Sequence, residues 1–340
     1  MLDMQMPEKE RRQGELPPLF EIRGLSKTYP MRLGPFGLGG KAALHAVDNV
    51  SLDIQRGETL GLVGESGCGK STLARMAAAL ISPSSGSIRL KGQPVKGGNP
   101  FQLREFRRQV QLVFQDPVTA LNARMRAGDI VAEPLRNFGL YKGAALQQAV
   151  ASLFQRVGLR PDHMSRYPHE FSGGQKQRIG IARALALQPD LIICDEPVSA
   201  LDVSVQAQVI NLLMDLQSEF GLSYLFVAHD LAVIRHISQR VAVMYLGRLV
   251  EIGRKEDIFT RPAHPYTRML LAAVPKPDPR HKRTRTASES EMPSPINLPP
   301  GCRFQNRCPA ASDLCRSVSP ELTNLQSSGH AVACHHPHAG

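Results

Sequence analysis

The chain has 340 residues, 42% of them hydrophobic and 21% charged, which excludes a disordered polymer and allows one large domain or two ordinary ones. No apolar run reaches about 18 residues, which excludes a membrane-spanning helix. The first residues, MLDMQMPEKERRQGELPP, lack the apolar stretch of a secretory signal, so the expected location is the cytoplasm. The formal net charge of +11 suits phosphate ligands, an anionic surface or nucleic acid. However, KPDPRHKRTRT holds Lys276, Arg280, Lys282, Arg283 and Arg285 in one proline-containing run, which reads as a solvated linker. The chain has no tryptophan and few aromatics, so no stacking platform for single strands is evident and no nucleic-acid partner is expected.

Phe20 to Tyr29 alternates apolar and polar residues and predicts a strand; a Gly-rich loop and a second alternating stretch follow, up to a turn at Arg56-Gly57. TLGLVGES is an apolar run into a glycine turn, the pattern of a buried strand, and STLARMAAALIS has helical composition and stops before Pro83. Residues 120–170 show helical periodicity that Pro134, Gly139 and Pro161 are expected to break. LIICDEP and YLFVAHD read as buried parallel strands, joined by the helix VQAQVINLLMDLQSEF with Gly221 at its end. Buried strands alternating with helices predict an α/β domain with a mostly parallel sheet. HPYTRMLLAAVP is a further short helix candidate.

Gly64 to Ser71 fits G-x-x-x-x-G-K-[ST] between a predicted strand and a predicted helix. Glycines let successive N–H groups turn toward phosphate oxygens, and the helix N-terminus adds its positive end. Gly64, Glu65, Ser66, Gly67, Cys68, Gly69, Lys70, Ser71 and Thr72 are the candidate nucleotide residues. Lys70 would reach the β- and γ-phosphates and Ser71 would offer a hydroxyl to Mg2+. Chance alone puts this pattern in roughly one chain of this length in a hundred. Asp195 and Glu196 end an apolar strand, which places them at the carboxyl edge of the sheet, where α/β folds bind ligands. Asp195 is the candidate Mg2+ ligand and Glu196 the candidate base for a water in line with the γ-phosphate.

Between these motifs stands FSGGQKQR. The combination resembles the ATP-binding-cassette (ABC) ATPases, from Phe20 to about Gly253. The resemblance implies an ABC-type nucleotide-binding domain with a phosphate-loop core, an antiparallel β subdomain and a helical subdomain. It implies that Tyr29 stacks on adenine and that Gln115 contacts Mg2+ and joins the site to the helical subdomain. It also makes Ser199 to Asp202 the counterpart of the family's D-loop, with Asp202 a candidate nucleotide residue, and His229 the residue that contacts the γ-phosphate. Ser172, Gly173, Gly174 and Gln175 open a second glycine-bearing helix, expected near Gln175, aimed at a phosphate. In the family that phosphate belongs to ATP held by the other subunit of a head-to-tail dimer.

The motifs VFQDPVTALNAR, RYPHEFSGGQKQRIGIARAL and DEPVSALDVSVQAQVINLL resemble more closely the ATPase subunits of bacterial dipeptide and oligopeptide permeases, above all the second ATPase of the dipeptide system. This implies a different but homologous ATPase as heterodimer partner, two membrane-spanning permease subunits and a solute-binding protein. It implies a place on the cytoplasmic face of the membrane, with docking just after Gln115, around DPVTALNARMRAGDIVAEPL. Related systems carry nickel or other small solutes, and soluble ABC ATPases act on nucleic acid or ribosomes; these are the alternatives. The organisation expected is a disordered 1–18, an ATPase domain over 19–261 with a helical subdomain at about 116–175, and an extension over 262–340 with a linker at about 275–295.

Cys302, Cys308, Cys315 and Cys334 are spaced C-x5-C-x6-C-x18-C. A reducing compartment disfavours disulfides, and structural zinc more often uses closely paired cysteines. Four thiolates can hold an iron–sulfur cluster, and a [4Fe-4S] cluster is what the subfamily resemblance implies; zinc and free thiols remain the alternatives. Cys68 and Cys194 read as small buried fillers.

Overall fold

The structure, a computed structural model, describes residues 17–32, 41–95, 98–274, 293–296, 298–325 and 329–338. The expected disordered start and the basic linker lie outside the described residues, apart from 17–18 and 293–295.

The alternating N-terminal stretches form β1 (Phe20–Arg32) and β2 (Lys41–Ile54), an antiparallel pair with several register shifts. The buried run that follows is β3 (Thr59–Val63), and the phosphate-loop helix is α1 (Lys70–Ala77). This helix is shorter than its composition predicts, because Ala79 takes a left-handed φ of 51°. Next come β4 (Ser85–Leu90), β5 (Gln93–Pro94), α2 (Pro100–Gln109) and β6 (Val110–Val113). The helical region holds α3 (Pro117–Ala120), α4 (Ala127–Asn137), α5 (Gly143–Arg156), short 3-10 turns and α6 (Gly173–Leu185). Pro134 lies inside α4 and does not break it. Ile130, Val131, Ala132 and Leu135 bury the face around it, and α4 packs on α5 and α6, which offsets the roughly 3 kcal/mol that an interior proline costs. Gly139 does fall between α4 and α5, and Pro161 opens a 3-10 turn beyond the end of α5.

The rest of the α/β core is β7 (Leu191–Asp195), α7 (Val203–Phe220), β8 (Ser223–Val227), α8 (Leu231–Ile237), β9 (Arg240–Tyr245) and β10 (Arg248–Arg254). Gly221 closes α7 at a left-handed φ of 63°, as its sequence position suggests. Then come α9 (Lys255–Thr260), α10 (Pro265–Ala273), α11 (Asp313–Ser317), β11 (Thr323–Leu325) and β12 (His330–Val332).

One sheet is antiparallel, in the order β2-β1-β4-β5; the other runs β11-β12-β10-β9-β3-β8-β7-β6. Its five strands β9-β3-β8-β7-β6 are parallel. Alternation along these strands feeds two cores. Ile192 and Cys194 pack with the helical subdomain, while Leu191 and Ile193 pack with α1 and the antiparallel sheet.

The chain beyond Arg261 is built into this sheet. β12 pairs antiparallel with β10, Glu251 opposite Val332. Glu251 is fully buried, accepts from the N–H groups of Ala263 and His264, and pairs with His330 at 2.7 Å. Tyr266 of α10 and Phe304 join Tyr245 of β9 in one aromatic cluster, with centroids 4.6–5.4 Å apart. Among the described residues no helix is long and apolar enough to cross a membrane.

Candidate active site

The phosphate loop turns where only glycine fits. A Cβ on Gly64 would stand 2.2 Å from the Met244 carbonyl oxygen, and one on Gly69, at φ 106°, would stand 2.1 Å from that of Ala46. Gly69 is the N-cap of α1. Ser66 and Gly67 form the exposed rim of the loop, with Ser71 and Thr72 half-buried beneath it. Lys70 is buried and its Nζ donates to the carbonyls of Gly64 at 2.7 Å and Glu65 at 2.9 Å. Cys68 is buried below the loop, and its carbonyl accepts from the N–H of Gly247. Burial pushes the Cys68 and Cys194 thiols up, so both are neutral fillers.

Parallel pairing of β3 with β8 and of β8 with β7 sets the carboxyl ends of these strands side by side. Ser71 donates its hydroxyl to Asp195 Oδ1 at 2.9 Å. Asp195 is 2% exposed, and burial raises its pKa despite the Ser71 bond and the charge of Arg75. Glu196 follows at a left-handed φ of 47°, a strained backbone for a residue with a Cβ. Its N–H donates to the carbonyl of Val227. Gln115 Nε2 donates to Glu196 Oε2 at 3.0 Å, and His229 Nδ1 lies 3.3 Å from the same oxygen. The fold therefore brings Lys70, Ser71, Gln115, Asp195, Glu196 and His229 to one edge.

Other sequence candidates stand apart. Tyr29, half-exposed on β1, pairs with Leu44, two residues before the Ala46 carbonyl that abuts Gly69. Ser172 caps α6 reciprocally with Gln175, at 3.3 and 3.0 Å. The helix begins at Gly173, earlier than the sequence suggests, so both glycines are helical. Gly174 lies against Val205 of α7, where a Cβ would come within 2.4 Å. Among the described residues no hydrogen bond or ion pair joins Ser172–Gln175 to the phosphate loop. Asp202 is the exposed N-cap of α7.

Sequence reasoning missed the tail's hold on the loop. The N–H of Glu65 donates to Tyr266 Oη at 2.9 Å, and Arg307 binds the Glu65 carboxylate through both terminal nitrogens, at 2.8 and 2.9 Å. Arg303 bonds Asp48 and the carbonyl of Leu246. The only signal was the basic residue beside each of Cys302 and Cys308. Cys302, Cys308, Cys315 and Cys334 line one pocket with His335 and His336. Burial pushes the Cys302, Cys308 and Cys334 thiols up, Cys334 to about 11. Among the described residues no three His, Cys, Asp or Glu side chains are grouped to hold one metal ion.

Comparison with known proteins agrees with this geometry. The ABC transporter family matches residues 47–199, and the C-terminal region of oligopeptide/dipeptide transporters matches residues 250–315. A probable peptide ABC transporter ATP-binding protein of Sinorhizobium fredii, y4tS, is 52% identical over 93% of this chain and 89% of its own length. The chain is an ABC transporter ATP-binding protein of the oligopeptide/dipeptide family. The oligopeptide transport ATP-binding protein AppF of Bacillus subtilis is 50% identical over 93% of this chain and 97% of its own length. OppF of Escherichia coli, also an oligopeptide transport ATP-binding protein, is 53% identical over 86% and 87%. Among solved structures, an ABC cassette in a dimeric post-hydrolysis state with ADP and Pi covers 69% of this ABC protein and 98% of itself, at TM-score 0.61 and 29% identity. The cbiO1 subunit of Clostridium perfringens covers 72% and 91%, at TM-score 0.60 and 26% identity. As a member of this family, the protein is an ATPase.

Proposed function

We propose that the protein is the ATP-hydrolysing motor of a di- or oligopeptide importer. It would work at the cytoplasmic face of the membrane beside a homologous ATPase, two permease subunits and a solute-binding protein. The observation that carries this reading is the 52% identity to a peptide transporter subunit over 93% of the chain, through both the nucleotide motifs and the tail.

In this reading Lys70 and the loop N–H groups hold the β- and γ-phosphates, while Ser71 and Asp195, with Gln115, hold Mg2+. Glu196, oriented through Oε2 by Gln115 and His229, takes a proton from the attacking water. Ser172 to Gln175, at the exposed start of α6, would cap the ATP of the partner ATPase. The exposed Asn122, Arg124 and Arg126, just after Gln115, would meet the permease.

In this reading the four tail cysteines, which line one pocket, would hold a [4Fe-4S] cluster through their thiolates. They share one pocket without grouping about a single point, and the four ligands of such a cluster bind four different irons. Its contribution would be structural, tying α11 and the segment after β12 to the Cys302–Cys308 loop. Anaerobically purified protein should then carry about four irons and four sulfides per chain; colourless protein with one zinc would overturn this assignment.

The test of the main reading is recovery of a tagged chain from membranes. Permease subunits, a second ATPase and ATP-dependent peptide uptake on reconstitution are expected. Recovery with ribosomes or nucleic acid, and with no membrane protein, would overturn it.

A further inference from the structure

The tail reaches the nucleotide site at Glu65, the second residue of the phosphate loop. A carboxylate there sits badly beside a triphosphate, because it repels the charge that Lys70 is placed to attract. The structure answers this with a residue 242 positions away. Arg307 meets both carboxylate oxygens of Glu65, at 2.8 and 2.9 Å. Its side chain is only 7% exposed, against 27% for that of Glu65. It lies 5.9 Å from the ring centroids of both Tyr245 and Phe304, and the N–H of Arg307 donates to the carbonyl of Phe304. Tyr266 Oη accepts from the N–H of the same Glu65. The loop is therefore gripped at one residue by backbone and side chain together, from an aromatic wall that only the tail completes. Such a two-pronged guanidinium–carboxylate contact fixes direction as well as charge.

We propose that Arg307 is a positioning residue for ATP binding, clamping and neutralising Glu65 so that the triphosphate meets Lys70 without an opposing carboxylate. Tyr266 completes the clamp by fixing the backbone of Glu65. The inference rests on the reading of Gly64–Thr72 as the ATP phosphate loop.

Fluorescent ATP and ADP analogues binding to the full-length chain test it. Arg307→Gln should weaken ATP binding about tenfold, the effect of one uncompensated charge several ångströms from another near a protein surface. ADP, with less charge, should lose less. Adding Glu65→Gln should return the affinity to that of Glu65→Gln alone, a rescue that a purely structural role of Arg307 would not give. Arg307→Lys should lie between wild type and Arg307→Gln.

If Arg307→Gln does not fold, Glu65→Asp gives the same answer, since it keeps the charge but shortens the arm that reaches Arg307. It too should bind ATP more weakly than wild type. Wild-type affinity in Arg307→Gln, or in Glu65→Asp, would overturn the proposal, as would a double variant that binds no better than Arg307→Gln. Lys70→Ala separates the two readings. Normal binding there removes the phosphate-loop reading itself, whereas lost binding there with an indifferent Arg307 removes only the clamp.

Discussion

Ser71 and Asp195 are 124 residues apart in sequence, and the hydroxyl of one donates to the carboxylate of the other at 2.9 Å. This bond ties the start of α1 to the end of β7, the two places from which Mg2+ would be held. Ser71→Ala should raise the Mg2+ concentration needed for half-maximal ATP turnover about tenfold, the scale of one lost bond to a charged group. A magnesium titration of turnover checks it, and an unchanged midpoint would remove Ser71 from the metal site.

Glu196→Gln keeps the shape and can still bond Gln115, but it cannot take a proton. Turnover should fall by at least about 100-fold, the usual scale for a general base, with ATP binding retained. Single-turnover hydrolysis beside a binding titration measures both. Near-normal turnover would move the base elsewhere.

Phe304 is 2% exposed and touches Tyr245, Tyr266 and His264. Phe304→Ala should cost about 3–5 kcal/mol where the tail packs. Limited proteolysis should then cut the tail ahead of the parallel-sheet core. Equal protection of both would place Phe304 outside the shared core.

His264 is buried and neutral. Its ring Nδ1 accepts from the N–H of Tyr266, and burial lowers its pKa to about 4 from 6.5. A depressed folded pKa means that the unfolded chain binds the proton more readily. The stability contributed is complete above about pH 6.5 and is lost as pH falls toward 4, by up to about 1.4 kcal/mol per pH unit. Denaturant midpoints at pH 7.5, 6 and 5 should fall more steeply for wild type than for His264→Asn. Parallel slopes would show that His264 does not titrate on unfolding.

Most of the site was legible because its parts are local patterns. Gly64–Ser71 and Asp195–Glu196 each sit in a few residues whose composition also dictates the strand or helix that carries them. What was not legible depends on distance or context. Arg307 and Glu65 meet across 242 residues, and no periodicity announces such a contact. Pro134 is a breaker by local rule, yet the buried face of α4 holds it in the helix. His330, in β12, is buried against Glu251, 79 residues away, a contact that nothing in the short stretch around it announces. The strand is too short to carry a pattern of its own.

The pairing of β12 on β10 has a consequence for how the protein is made. Every nucleotide motif has been synthesised by about His229, but β10 waits roughly 80 residues more for its neighbour. A chain interrupted in that interval would carry a full set of ATPase motifs with Glu251 lacking its histidine and the edge of β10 bare, a template for aggregation. A break before Arg307 would also leave Glu65 unpaired. The sheet edge at β10 and the clamp on the phosphate loop are thus completed by the same late stretch of chain, so a truncation that removes the clamp also removes β12.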